Sequence, residues 1–137
     1  KVITLEEYAK TINIEALTML EMAKQDILPA VSSYVKELTD TALAKKALSD
    51  AIPTSVEEDL VTTLSNDLVS FVEKIDTLSE DVVKGNDIED AQEKANYYHD
   101  VVFAAMDELR KPADKLEMLV AKSAWPFPSY GDLIFEV

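Results

Sequence analysis

The sequence contains no cysteine, one histidine, one arginine and two glycines. The lack of cysteine excludes disulfides, zinc–thiolate sites, iron–sulfur clusters and a thiol nucleophile. Two glycines are too few for a loop whose backbone amides cradle phosphate, which excludes Rossmann and P-loop nucleotide sites. A single histidine argues against a Ser–His hydrolase, and with Asn96 three residues before His99 there is no Glu-x-x-His pair for a di-metal bundle site.

Positive charge is also scarce, because 13 Lys and Arg face 27 Asp and Glu, giving a formal net charge of −14. This balance argues against nucleic acid or an anionic membrane surface as a partner. The longest apolar run, VVFAAM, is far shorter than the ~20 residues that cross a bilayer. The start, KVITLEEYAK, has no signal-peptide core, which favours a cytoplasmic protein, and no initiating Met, which is consistent with a piece of a longer chain.

Apolar residues recur at spacings of three and four over most of the chain, which predicts an all-α fold. The predicted helices span about residues 4–49, 55–84 and 87–122. The most regular stripe belongs to the second helix: Leu60, Leu64, Leu68, Phe71, Ile75, Leu78 and Val82. Short breaks between long stripes predict an elongated, antiparallel up-down-up bundle of three long helices in residues 1–124, with an extended tail at 125–137.

Three prolines and one glycine are expected to interrupt or end these helices. Pro29 predicts either a kink or two helices that meet there, and Pro112 favours a kinked but continuous helix because the stripe stays in phase. If either proline breaks its helix, the count rises to four or five. Pro53 ends the first helix. Gly85 is interpreted as a left-handed C-cap, with the next helix starting at Asn86 or Asp87.

The second helix begins with a sequence typical of a capping box. Ser55 is followed three residues later by Glu58, and Thr54 with Glu57 is an overlapping alternative. Acidic clusters at the starts of helices are explained by the positive end of the helix dipole.

Other reactive or adaptable residues have simpler structural interpretations. His99 beside Asp100 is interpreted as a surface or boundary residue. The methionines at helical spacing are interpreted as core filler in preference to a binding groove: Met19, Met22, Met106 and Met118. We therefore predict no catalytic, cofactor-binding or metal-binding residue in this chain.

The ending WPFPSYGDLIFEV differs from everything before it. Pro126 and Pro128 each lack an N–H donor and favour extended geometry in the residue before them. The large aromatic residues around them need cover, either from the chain's own bundle or from another domain or subunit. The candidate docking residues are Trp125, Phe127, Tyr130 and Phe135.

Three stretches together resemble the C-terminal region of type III glutamine synthetase, the large bacterial form of the enzyme. They are LEEYAKTINIEALTMLEMAKQDILPAVSSYV at the start, DVVFAAMDELRKPADKLEMLV, and the tail WPFPSYGDLIFEV. The resemblance covers nearly the whole chain and is weakest around the second helix.

The resemblance implies a parent enzyme that joins glutamate and ammonia, using ATP and magnesium, as a cytoplasmic homo-oligomer. It places the catalytic residues upstream of Lys1, so this chain is expected to be a non-catalytic, structural helical domain. Its expected partners are the parent's own catalytic domain and neighbouring subunits. The alternative from the residues alone is an autonomous helical module for protein–protein interaction.

Overall fold

A computed structural model describes residues 2–128, which fold into three long helical rods with no β-strand among them. Rod 1 (residues 5–48) is α1, a π-helical turn and α2; rod 2 is α3; rod 3 (residues 91–119) is α4, a second π-helical turn and α5. The bounds are α1 Leu5–Met22, π Ala23–Ile27, α2 Leu28–Leu48, α3 Ser55–Asn86, α4 Ala91–Tyr97, π Tyr98–Val102 and α5 Phe103–Leu119. The predicted all-α fold with three long helices is confirmed.

Neither proline breaks its rod. At the first π turn the Leu28 N–H donates to the Ala23 carbonyl, five residues back. The regular bonding to the fourth residue back is thus already interrupted just before Pro29, which has no N–H to donate. Pro29 then lies in the first turn of α2. Pro112 lies inside α5, buried, and the helix continues through it.

Side chains cap the starts of rods 1 and 3. The Thr4 hydroxyl accepts the Glu7 N–H at 3.1 Å, and the Asp90 carboxylate accepts the Glu93 N–H at 3.0 Å. Rod 3 therefore begins at Ala91, later than the predicted start, because Asp90 is the residue that meets the free amides.

The start of α3 does not form the predicted capping box. Thr54 is the N-cap residue and is buried, but its hydroxyl donates to the Glu58 carboxylate at 2.8 Å. Lys45 of α2 donates to Glu57 at 2.8 Å and so links the two helices across their connection.

The predicted left-handed cap at Gly85 is wrong. Gly85 lies within α3, buried, and none of the described residues has a positive φ. A Cβ built on Gly85 would lie 2.8 Å from Cε2 of the Tyr98 ring. Glycine is therefore required here by the close approach of rod 3, and not by backbone conformation.

One hydrophobic core joins the three rods. The stripe of α3 lies at its centre, where α3 packs against both α2 and α5, while α1 packs chiefly on α4 and the second π turn. The largest fully buried side chains are Tyr98, Phe71, Leu64, Leu78, Met106, Leu109, Leu116, Val31 and Val102. Within residues 2–128, no helix combines the length and apolarity that crossing a membrane would need.

Candidate docking surface

The chain turns sharply after α5. The amides of Ala124 and Trp125 both donate to the Ala121 carbonyl, at 2.8 and 3.1 Å. This turn directs Trp125 and Phe127 back onto the bundle, where both are half-buried and pack against the core. Both residues therefore contact the chain's own helices.

The other two candidate docking residues, Tyr130 and Phe135, lie outside the described residues. Only the first half of the predicted set is thus placed in the structure. The docking role of all four residues remains a prediction.

An apolar groove of about 510 Å³ runs between α1 and α5. We call it the α1–α5 groove. Its walls carry mainly aliphatic and thioether groups, and the Phe71 ring of α3 also borders it. Its lining residues are Ile14, Glu15, Thr18, Met19, Met22, Ala23, Ile27, Phe71, Met106, Leu109, Arg110 and Ala113.

Three of the four methionines border this groove, and they differ in exposure. Met106 is buried, Met19 is half-buried and Met22 is exposed. Met118 lies outside the groove and is 85% exposed, so its interpretation as core filler is wrong. Flexible thioether side chains at a groove can adapt their shape to an occupant.

Arg110 gives the groove a positive group at its edge. It is exposed, and among the described residues it makes no hydrogen bond or ion pair. The next cation on α5 is engaged, because Lys111 lies 2.7 Å from the Glu108 carboxylate, which lowers the pKa of Glu108 and raises that of Lys111. The groove therefore combines an apolar floor with one cation available to a carboxylate.

Tyr98 connects all three rods beyond one end of the groove. Its hydroxyl lies within hydrogen-bond distance of two amide oxygens, that of Asn13 on α1 at 3.0 Å and that of Asn86 on α3 at 2.8 Å, and its single proton is shared between them. Burial raises the pKa of the Tyr98 phenol, and the neighbouring Tyr97 adds to the rise. The neutral phenol is thus the form that the folded chain favours.

This shift predicts a loss of stability at alkaline pH. Because the folded-state pKa is raised, the unfolded chain releases the proton first, near pH ~10, and the free energy of unfolding falls as pH rises further. Tyr98→Phe should weaken this alkaline loss while costing ~1 kcal/mol at neutral pH from the missing hydrogen bonds. Thermal unfolding from pH 8 upward measures both the alkaline loss of stability and the cost of the missing hydrogen bonds. Tyr34→Phe on α2 is the matched control. An unchanged alkaline slope in Tyr98→Phe would contradict the assignment.

The remaining candidates for chemistry lie apart from the groove. His99 is exposed and its Nδ1 lies 2.8 Å from the Asp100 carboxylate, while its ring is 6.3 Å from that of Tyr8. No three His, Asp or Glu side chains of residues 2–128 converge on a point where they could hold a metal ion. The structure thus defines a helical-bundle domain whose distinctive surfaces are an apolar groove and an aromatic C-terminal segment.

Comparison with known proteins identifies the family. A family model described as "Glutamine synthetase C-terminal domain" matches residues 1–46. A glutamine synthetase of Butyrivibrio fibrisolvens is 36% identical over 135 residues, covering 98% of this chain. A type-3 glutamine synthetase of Dictyostelium discoideum is 25% identical over 140 residues, and a glutamine synthetase of Bacteroides fragilis 24% over 137 residues, each covering 97% of this chain. The chain belongs to the type III glutamine synthetase family, to its C-terminal region.

The chain spans 19% of the length of each of these relatives. Residues 2–128 bring together no group of carboxylates or histidines for the magnesium that the resemblance implies in the parent protein.

Proposed function

We propose that this chain is a non-catalytic helical scaffold at the C-terminal end of a glutamine synthetase. The observation that carries the proposal is the packing of Trp125 and Phe127 against the core just beyond α5. Aromatic residues of this size supply much of the contact area in cores and interfaces. Residues 125–127 are thereby held against the bundle.

The parent protein, in this proposal, joins glutamate and ammonia with ATP and magnesium in a domain outside this chain. It is a bacterial, cytoplasmic homo-oligomer, and this bundle contacts the catalytic domain and neighbouring subunits. Support comes from the similarity to named glutamine synthetases, of which this chain spans 19%. Exposed apolar residues concentrate near the start of the chain, where Val2, Ile3 and Leu5 offer surface for such contacts.

We also infer an up-down-up order for the three rods. Lys45 near the end of rod 1 meets Glu57 at the start of rod 2, which supports an antiparallel pair. Lys74 of rod 2 lies 3.9 Å from Glu108 of rod 3, and Asn86 of rod 2 is hydrogen-bonded to Tyr98 of rod 3. Residue numbers therefore fall along rod 2 as they rise along rod 3, which supports a second antiparallel pair.

Replacing both aromatic anchors tests the scaffold proposal. In the full-length protein, Trp125→Ala with Phe127→Ala should lower the melting temperature and reduce the oligomer mass seen by light scattering. Each ring is half-buried, so we expect ~2 kcal/mol per substitution, about half the 3–5 kcal/mol of a fully buried aromatic. Met118→Ala, at an exposed site on α5, is the control and should change neither. If neither the oligomer mass nor the melting temperature changes, the proposal is wrong.

The α1–α5 groove favours a second candidate function, an autonomous module that binds a partner helix. Amphipathic helices are commonly bound in apolar grooves of this kind. In that case the isolated chain would capture the partner helix, and substitutions in the groove would abolish that capture while the two aromatic substitutions would not.

A further inference from the structure

We propose that a polar pocket between α1 and α4 binds a small free α-amino acid. The pocket has a volume of about 370 Å³, and Asn86 at the end of α3 also borders it, so all three rods contribute to its wall. We call it the α1–α4 pocket. Its volume lies near the lower end of the ~300–1,000 Å³ that is typical of ligand sites, which restricts the occupant to a small molecule. The inference goes beyond the scaffold role, because it gives the bundle a ligand of its own.

The floor of the pocket is a buried tyrosine held between two amides. Tyr98 is fully buried, and its hydroxyl lies 3.0 Å from the amide oxygen of Asn13 and 2.8 Å from that of Asn86. Gly85 makes room for the ring, since a Cβ there would lie 2.8 Å from Cε2. Because both amide oxygens face the phenol, the two NH₂ groups face elsewhere, and within residues 2–128 neither donates a hydrogen bond. The floor is thus fixed in place and has N–H donors to spare.

Two lysines add positive charge to the wall above this floor. Lys10 comes three residues before Asn13 on α1, about one helical turn away. Lys94 comes four residues before Tyr98 on rod 3, again about one turn away, and is half-buried. In the part of the chain that the structure describes, neither lysine forms an ion pair or a side-chain hydrogen bond. Ammonium groups beside amide N–H donors form a site suited to a carboxylate.

Two carboxylates lie farther out, at the rim of the pocket. Glu6 and Glu89 border the pocket, and both are exposed. Glu6 comes one turn before Lys10 on α1, so the charge along this wall changes from negative at the rim to positive nearer the floor. Among residues 2–128, no cation is paired with either carboxylate. The rim is therefore placed to accept hydrogen bonds from an ammonium group.

The order of these charges indicates the class of ligand. Two lysines and two glutamates cancel, which favours a net neutral molecule with both signs of charge over a simple anion or cation. A free α-amino acid matches this order, with its carboxylate toward the lysines and the floor and its ammonium toward the rim. Leu5, Ala9 and Ala91 supply apolar surface on the same wall, which suits a small aliphatic side chain. The net charge of −14 further disfavours a simple anion.

Saturation-transfer NMR on the full-length protein tests the inference, with L-valine as the probe. L-Valine has no side-chain carboxylate, which separates this pocket from the glutamate site proposed for the catalytic domain. Isovalerate lacks the ammonium group and isobutylamine lacks the carboxylate, so the comparison isolates each charge. We expect L-valine to bind at least about tenfold more tightly than either. No binding of L-valine, or equally tight binding of one of the other two probes, would overturn the proposal.

Paired substitutions assign the binding to the pocket. Lys94→Met should weaken L-valine binding about tenfold, whereas Lys115→Met, at an exposed site of α5 outside the pocket, should leave it unchanged. Glu89→Gln should weaken binding by about the same factor, whereas Glu93→Gln, at an exposed site of α4 outside the pocket, should not.

Thermal unfolding shows which variants are folded. Glu89 is exposed, so its substitution is expected to leave the fold intact and the glutamate pair remains decisive even if Lys94→Met does not fold. Equal binding by the two members of either pair, both folded, would show that L-valine binds elsewhere and would overturn the proposal. The scaffold proposal is tested separately, because Trp125 and Phe127 do not border this pocket.

Discussion

Phe71→Ala should lower the free energy of unfolding by ~3–5 kcal/mol, the range for a large buried aromatic. The Phe71 ring is fully buried at the centre of the α3 stripe, and it also borders the α1–α5 groove. Its removal leaves a cavity that three packed rods cannot close by moving one side chain. Chemical denaturation gives the change in free energy directly, and the melting temperature should fall by at least about 10 °C.

Val69→Ala is the matched control on the same helix. Val69 lies two residues before Phe71 but is 61% exposed, so its truncation should change stability by no more than ~0.5 kcal/mol. A loss of similar size in both variants would mean that α3 is destabilised as a helix. The assignment of Phe71 to the centre of the core would then be wrong.

Gly85→Leu is expected to cost ~3 kcal/mol, the upper part of the usual range for overpacking. Even a Cβ at this position would lie 2.8 Å from Cε2 and 3.1 Å from the hydroxyl of Tyr98. The ring cannot turn aside freely, because its hydroxyl is held by Asn13 and Asn86. Steric conflict therefore outweighs the ~1 kcal/mol that a helix interior gains when glycine is replaced.

Two further variants identify the source of this loss. Lys84→Leu changes the preceding, exposed residue to the same side chain and should be nearly neutral. Combining Gly85→Leu with Tyr98→Leu should be less destabilising than the sum of the two, with a coupling of ~1–3 kcal/mol. Strict additivity would show that the two residues do not compete for the same space.

Periodicity predicted most of the fold because the core depends on helical faces. Leu64, Phe71, Ile75, Leu78 and Val82 of the α3 stripe are all buried. Five residues of rod 3 that recur at helical spacing are buried as well: Tyr98, Val102, Met106, Leu109 and Leu116. Helix ends were predicted less well, since Asp90 rather than Asn86 or Asp87 caps rod 3.

The features that sequence patterns missed depend on contacts between rods. Gly85 looked like a cap because it lies near the end of a stripe, whereas its actual constraint is the Tyr98 ring from another rod. The sequence analysis ranked core filler above a binding groove for the methionines, because Met19 and Met106 lie far apart in sequence and their shared opening depends on how α1 sits against α5. In the aromatic segment, Trp125 and Phe127 pack against the core, and the docking role expected from composition stays a prediction.

The two π turns have a consequence for how this domain tolerates changes in length. Each wide turn holds one residue more than an α-helical turn would, so removing that residue would still leave an unbroken helix. The part beyond it, however, would rotate by ~100° and carry its apolar stripe away from the core. Residues 23–27 and 98–102 therefore set the rotation of the later part of each rod relative to its earlier part.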